Sequence, residues 1–86
     1  MAGHTGRYEV LCSFISNLRK EQSITQQVLA SRLGKPQSFV SKIESGERKI
    51  DVIEFIEIVD ALKLDPVDAL KKFYEALPPN KVTRHS

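Results

Sequence analysis

The sequence contains little of what a disulfide-stabilised or membrane-spanning protein requires. Its 86 residues include no tryptophan and one cysteine. With one cysteine, no disulfide can form within the chain. The longest apolar stretch near the start, residues 10–15, is interrupted by Cys12 and Ser13. That stretch is too short for the core of a signal peptide or for a membrane span. We therefore expect no membrane association and a reducing, cytoplasmic setting.

Patterns that indicate catalysis or metal binding are also missing. The sequence has no glycine-rich phosphate loop, no nucleophile elbow and no catalytic pair of carboxylates. His4 and His85 stand near the two ends, and no spacing of Cys, His and carboxylate residues indicates a metal site. A chain of this size is one small domain that buries about 60–65% of its unfolded surface, which leaves no volume for a large catalytic cleft. We therefore expect no enzyme, no metal and no cofactor.

The net charge of +2 is small, but the charges are distributed unevenly along the chain. Residues 1–49 hold eight basic and four acidic side chains, whereas residues 50–77 hold three basic and seven acidic ones. A basic half joined to an acidic half favours a polyanion as the ligand of one surface and a different partner for the other. Solvated charge without any ligand is the alternative explanation.

Apolar residues recur at helical spacing and nowhere alternate with period two, which predicts five short helices and no strand. The ends of these helices are expected at residues that cap a helix or cannot continue it. The N-terminal ends are predicted at Thr25, Pro36, Asp51 and Asp65 and the C-terminal ends at Gly34, Gly46 and Pro78. Asp51 and Glu54 have the spacing of a capping box.

Helices of this length are marginal in isolation, so they must pack into a compact all-α bundle. We expect the domain to span residues 8–77, between flexible segments at 1–7 and 78–86. Cys12 is predicted to be a small buried hydrophobic residue. The residues predicted to face the core are Tyr8, Leu11, Ile15 and Leu18 on the first helix and Val67, Leu70, Phe73 and Leu77 on the fifth.

Residues 25–46 predict a short helix, a tight turn and a second short helix, which together form a helix-turn-helix unit. Gly34 permits the positive φ that such a turn needs, and Val40 and Ile43 anchor the second helix in the core. The outer face of that helix is then free of carboxylates, and its amide, hydroxyl and amine groups are suited to base edges and phosphates. Its residues are Gln37, Ser38, Ser41 and Lys42.

Several motifs closely resemble the phage-repressor-like (Xre-type) helix-turn-helix family. They are Thr-Gln-x-x-Leu-Ala at 25–30, Leu-Gly at 33–34, Val-Ser-x-Ile-Glu-x-Gly at 40–46 and Phe-x-x-Ile-Val-x-x-Leu at 55–62. The resemblance extends from about Leu11 to Leu77. It implies a lambda-repressor-like DNA-binding domain that acts as a sequence-specific transcriptional regulator.

The resemblance also implies roles for individual residues. Arg19 and Glu44 resemble the family's internal ion pair between the first and third helices. Pro36 departs from the family pattern, because it stands where a capping Ser or Thr is usual and offers no capping oxygen. The residues implied to read bases are Gln37, Ser38, Ser41 and Lys42, and those implied to contact the DNA backbone are Gln26, Lys35, Ser45, Arg48 and Lys49.

A single short module buries too little surface for tight specificity, so we expect a homodimer on a palindromic operator in double-stranded DNA. Candidates for its interface are Ile53, Ile56, Phe73, Tyr74 and Leu77. Coverage of the monomer's own core is the alternative role for these side chains. The alternative function is an antitoxin-like interaction module that neutralises a partner protein through its acidic half and regulates its own operon.

Overall fold

The computed structural model describes residues 6–79, which form five α-helices. They are α1 (Gly6–Glu21), α2 (Gln26–Leu33), α3 (Gln37–Ser45), α4 (Val52–Ala61) and α5 (Pro66–Ala76). This part of the chain contains no strand. The prediction of an all-α bundle of about five short helices is confirmed.

The ends of α2 and α3 follow the local chemistry of the sequence. Thr25 Oγ1 accepts a hydrogen bond from the backbone N–H of Val28 at 3.1 Å and so caps α2. Gly34 and Gly46, which follow α2 and α3, have φ values of 70° and 88°, where a side chain would cost about 1–2 kcal/mol. Pro36 precedes α3 and makes no side-chain cap hydrogen bond. The first turn of α3 therefore receives no side-chain oxygen from its N-cap residue.

Carboxylates begin the last two helices. Asp51 Oδ1 accepts from the backbone N–H of Glu54 at 2.8 Å, and Glu54 Oε1 accepts from that of Asp51 at 3.1 Å. These two bonds form the predicted capping box at the start of α4. Asp65 Oδ1 accepts from the N–H of Val67 at 3.0 Å and begins α5, with Pro66 in the first turn. Both predicted N-terminal ends are confirmed.

One hydrophobic core joins the helices. Ala30 on α2 is only 1% exposed, and its small side chain leaves room for close packing between helices. Burial of each large aliphatic side chain contributes about 1.5–3 kcal/mol, so packing rather than helix propensity stabilises helices of this length. The large side chains that are 2% exposed or less are Ile15, Leu29, Val40, Ile43, Ile58, Val59 and Leu62.

The face of α5 that packs on the core differs from the predicted one. Val67 and Leu70 are 77% and 50% exposed, so the prediction that they line the core is wrong. The side chains turned inward are Ala69, which is buried, and Phe73, whose ring centroid lies 5.5 Å from that of Phe14. Residues four apart share one face of a helix. The prediction for Phe73 is therefore correct, and Val67 and Leu70 were misassigned because Ala69 adds so little to an apolar pattern.

On α1 the prediction is closer to the structure. Ile15 and Leu18 are buried, whereas Tyr8 and Leu11 are half-buried. Cys12 is buried as well, which confirms its predicted place in the interior.

The two ends of the described segment meet. Arg7 Nη1 donates to the carbonyl oxygen of Pro78 at 2.7 Å, and Gly6 and Arg7 already belong to α1. The described residues thus include two positions on either side of the predicted domain, residues 8–77. The remainder of the two predicted flexible segments, 1–5 and 80–86, lies outside the described residues. Between residues 6 and 79, no helix combines the length and the apolar content that crossing a membrane requires.

Candidate nucleic-acid interface

The outer face of α3 carries the polar side chains that were predicted there. Val40 and Ile43 are each 2% exposed and anchor the inner face of the helix. Ser41 is half-buried, and the other predicted base-reading residues are exposed: Gln37, Ser38 and Lys42. This face contains no carboxylate, so a polyanion that approaches it meets no negative side chain there.

Arg19 and Glu44 form a buried ion pair between α1 and α3. Arg19 Nε donates to Glu44 Oε2 at 2.7 Å, and Nη2 donates to Oε1 at 3.0 Å. The side chains are only 10% and 8% exposed. Arg19 Nη1 also donates to the carbonyl oxygen of Ile24 at 2.7 Å. One guanidinium therefore holds both α3 and the chain segment that leads into α2.

The environment of this pair keeps both groups charged. Burial alone would raise the pKa of Glu44, but hydrogen bonds from Arg19, Gln26 and Ser16 lower that pKa below its ordinary value. The hydrogen bond to Glu44 raises the pKa of Arg19. No buried side-chain nitrogen or oxygen in residues 6–79 lacks a hydrogen bond. The interior of the helix-turn-helix unit is thus fully satisfied despite its two charges.

Gln26 connects the ion pair to the surface of α3. Its Nε2 donates to Glu44 Oε1 at 2.9 Å, and its Oε1 accepts a longer bond of 3.4 Å from Gln37 Nε2. Because an ionised carboxylate only accepts, Gln26 must present its amide nitrogen to Glu44 and its oxygen to Gln37. The amide oxygen of Gln37 and one of its N–H groups take no part in these hydrogen bonds. That donor and acceptor match the N7 and N6 edge of adenine.

Arg48 has partners within the protein. Its Nη1 and Nη2 donate to Glu54 Oε1 and Oε2 at 3.2 and 3.0 Å. Its guanidinium carbon lies 4.7 Å from the ring centroid of Phe39. The resemblance assigned Arg48 to the DNA backbone, whereas in the structure its guanidinium is engaged by a carboxylate and an aromatic ring.

The two lysines that the resemblance assigned to the DNA backbone each lie over an aromatic ring. Lys49 Nζ lies 4.0 Å from the ring centroid of Tyr8, and Lys35 Nζ lies 5.2 Å from that of Phe39. Both lysines are exposed, and neither forms an ion pair with another of the described residues. The exposed hydroxyl of Ser45 donates to the carbonyl oxygen of Lys42 at 3.1 Å. The lysine ammonium groups thus remain available to a phosphate.

The predicted site did not include three residues that organise this surface: Tyr8, Phe39 and Glu54. The hydroxyl of Tyr8 accepts a hydrogen bond from the backbone N–H of Ile50 at 3.0 Å and so holds the loop after α3 against α1. The spacing of the capping box predicted the contact of Glu54 with Asp51 but not its contact with Arg48. The aromatic contacts join residues distant in the chain and leave no local pattern.

A cleft of about 650 Å³ lies between the start of α1 and the end of α3. Cations and carboxylates both line it, including Arg7, Lys49 and Glu9, so its charge selects neither anions nor cations. Burial raises the pKa of the Cys12 thiol, which lies in the same cleft. Among residues 6–79, no group of three or more His, Cys, Asp or Glu side chains is placed to hold a metal ion.

Comparison with known proteins identifies the family. Residues 15–68 match the family model described as helix-turn-helix. An Xre-family-like protein from Pseudomonas syringae pv. tomato is 44% identical, with 87% of this chain and 92% of that chain covered and a TM-score of 0.78. The chain belongs to the Xre-type helix-turn-helix family. It therefore has the fold of a DNA-binding transcription regulator, and the predicted family is confirmed.

Two further solved structures share the fold of this Xre-type protein. A mutant of the restriction-modification controller protein C.Esp1396I is 20% identical, with 80% of this chain and 92% of that chain covered and a TM-score of 0.74. The clp gene regulator ClgR from C. glutamicum is 18% identical, with 86% and 96% covered and a TM-score of 0.73. At these identities the likeness concerns the fold alone. No curated protein matches the chain.

Removal of Arg19 tests the energetic role of the buried pair. We expect Arg19→Ala to lower the free energy of unfolding of this Xre-type protein by about 3–5 kcal/mol, because it leaves Glu44 buried without its cation. Urea unfolding monitored by circular dichroism measures this change. The matched control is Lys72→Ala, which breaks the exposed pair with Asp68 at 3.3 Å and should cost about 0–1 kcal/mol. Equal effects of the two substitutions would contradict the buried-pair interpretation.

The lowered pKa of Glu44 predicts a dependence of stability on pH. In the unfolded chain Glu44 titrates near its ordinary value of about 4.3, so the unfolded state takes up its proton first as the pH falls. The contribution of Glu44 is therefore fully present above that pH and is lost as the pH falls through the lower pKa of the folded state. We expect Glu44→Gln to reduce stability at neutral pH and to flatten the acid limb of the unfolding free energy. Parallel acid limbs in the two proteins would show that Glu44 does not carry this dependence.

Proposed function

We propose that this protein is a sequence-specific transcriptional regulator that binds a palindromic operator as a homodimer, with α3 in the major groove. The observation that supports this most directly is the hydrogen-bond chain from Arg19 and Glu44 through Gln26 to Gln37. It orients the amide of an exposed helix residue before any ligand is bound, which lowers the cost of ordering it in a complex. A DNA ligand also implies a cytoplasmic location.

Base contacts and backbone contacts divide between two sets of residues in this proposal. Gln37 forms two hydrogen bonds with adenine, Lys42 donates to guanine O6 and N7, and the hydroxyls of Ser38 and Ser41 serve either kind of base. Contacts to phosphate position the helix without reading sequence. They are assigned to Gln26, Lys35, Ser45 and Lys49.

A second copy of the chain is the protein partner that we propose. Apolar side chains that are concentrated on neighbouring helices and exposed to solvent indicate a protein contact. A palindromic operator requires two-fold symmetry in the protein that binds it. Of the seven large hydrophobic side chains that are exposed in residues 6–79, six lie on α4 and α5, and we name them the α4–α5 patch: Val52, Ile53, Ile56, Val67, Leu70 and Tyr74.

The α4–α5 patch differs in part from the predicted interface. Ile53, Ile56 and Tyr74 belong to both sets. Phe73 and Leu77 are half-buried, and the contact of Phe73 with Phe14 belongs to the monomer's own packing. Val67 and Leu70, which were expected in the core, join the proposed interface in their place.

Two substitutions on the proposed DNA surface should have different effects. Gln37→Ala should weaken binding to the preferred site by about 1–3 kcal/mol and binding to a scrambled duplex very little, because it removes a base contact. Lys49→Ala should weaken binding to both duplexes equally and reduce the salt dependence by about one unit of slope, because it removes a phosphate contact. The measurement is a fluorescence titration at several salt concentrations, with the preferred site selected from a random duplex library.

The matched control for these two variants is Gln22→Ala, which truncates an exposed amide between α1 and α2. It should leave the affinity, the sequence preference and the salt slope unchanged. If Gln37→Ala kept the full sequence preference, α3 would not be the element that reads the bases, and the proposed function would lose its main support.

A charge in the α4–α5 patch should separate the two copies. Tyr74 is 73% exposed in the monomer, so Tyr74→Glu should shift a dimer towards a monomer that is still folded. Sedimentation across micromolar concentrations measures the shift. The control is Val28→Glu, at an exposed apolar position on α2 outside the patch, which should leave the dimer intact.

A wild-type chain that stays monomeric at every concentration, both free and on DNA, would exclude the homodimer. A different protein would then be the candidate for the patch, as in the antitoxin-like alternative. Such a partner would copurify with the wild-type chain and be lost with Tyr74→Glu.

A further inference from the structure

We propose that Arg48 is a positioning residue that holds α3 against the start of α4 and does not contact a phosphate. This inference rests on the proposed DNA-binding function and changes the role of one residue within it. Arg48 then strengthens DNA binding through Phe39 and Glu54, which keep the recognition helix and the following loop in place. We name Phe39, Arg48 and Glu54 the Arg48 cluster.

The hydrogen bonds of Arg48 form a fork on one carboxylate. Its Nη1 and Nη2 donate to the two oxygens of Glu54 at 3.2 and 3.0 Å, and Nη1 also donates to the carbonyl oxygen of Lys49 at 3.0 Å. The guanidinium carbon lies 4.7 Å from the ring centroid of Phe39. A planar cation that binds a carboxylate with two hydrogen bonds and stacks on a ring uses properties that lysine lacks.

The Arg48 cluster joins three successive parts of the fold. Phe39 lies on α3, Arg48 lies in the loop after α3, and Glu54 lies in the first turn of α4. Glu54 Oε1 also accepts the backbone N–H of Asp51 at 3.1 Å. A single carboxylate therefore caps α4 and binds the loop cation, so the loop that carries Lys49 is held at both ends.

Electrostatics disfavours a phosphate contact by Arg48. The hydrogen bond from Arg48 lowers the pKa of Glu54, so the carboxylate is ionised at neutral pH and the pair has no net charge. An approaching phosphate would have to displace this carboxylate or lie beside it, and the two anions repel each other. Lys35 and Lys49 form no ion pair with another described residue. Together with Lys42, they are cations of this surface that a phosphate meets without such competition.

Two substitutions distinguish a positioning role from a phosphate contact because the two roles predict different results. Arg48→Lys keeps the positive charge and removes the fork and the stacking. Glu54→Gln removes the negative charge and keeps a side chain that can complete the capping box. The measurement is a titration of the full chain onto a mixed-sequence duplex at several salt concentrations. With a positioning role, both variants bind about 3–10-fold more weakly and keep the wild-type salt slope.

The opposite pattern would overturn the proposal. If Arg48 contacts a phosphate, Arg48→Lys binds as tightly as the wild type. Glu54→Gln then removes the anion that competes with this phosphate, so the variant binds more tightly, and its salt slope is unchanged because no phosphate contact is added. Either of these results excludes the positioning role.

Thermal unfolding without DNA gives a second and independent measurement. Arg48→Lys should lower the unfolding midpoint by about 2–8 °C because the fork and the stacking are lost. Lys20→Ala, at an exposed lysine of α1, is the control and should leave the midpoint unchanged. An unchanged midpoint for Arg48→Lys would overturn the proposal. A wild-type chain that binds no duplex would instead refute the proposed function, so the two failures are distinguishable.

Discussion

The buried ion pair between Arg19 and Glu44 is the interaction on which the DNA-binding surface depends. Its net contribution to stability is modest, because desolvation of two charges offsets most of their attraction. Its main effect is on the arrangement of the helices, because a structure that separated the two groups would leave each charge unpaired in the interior. Arg19 also binds the backbone at Ile24, and Glu44 also binds Gln26. One guanidinium and one carboxylate thereby link α1, α2 and α3, in addition to the apolar core that the three helices share.

Most of the fold could be predicted from the sequence because its determinants are local. Thr25, Gly34 and the Asp51–Glu54 capping box each define a helix end through atoms a few residues apart, and such signals survive in a single sequence. The inner face of α5 could not be predicted in this way. Which face of α5 turns inward depends on how closely the helix approaches the rest of the bundle. The small side chain of Ala69 permits that approach without contributing to an apolar pattern.

The sequence predicted which residues belong to the outer face of α3, but it did not predict all the contacts between residues of the candidate site. The outer residues of α3 follow from helical periodicity once Val40 and Ile43 are taken as core. The role of Arg48 does not follow, because a surface arginine after a helix suits a phosphate and a carboxylate equally well. Only the fold brings Phe39 and Glu54 to the same guanidinium. Pairings of this kind depend on the angle between two helices, which no local pattern encodes.

The unequal charge of the two halves of the chain has a structural consequence. The basic half forms α1, α2 and α3. The acidic half forms α4 and α5, which also carry most of the exposed large apolar side chains. A polyanion is therefore attracted to the first three helices and repelled by the last two. In a homodimer built on the last two, the angle between α3 and α4 sets the separation of the two recognition helices, which must match about 34 Å or one turn of DNA. The Arg48 cluster spans this junction. In such a homodimer, a modest interaction at this junction would affect DNA binding more than its own energy suggests, because it would set the geometry of both half-sites together.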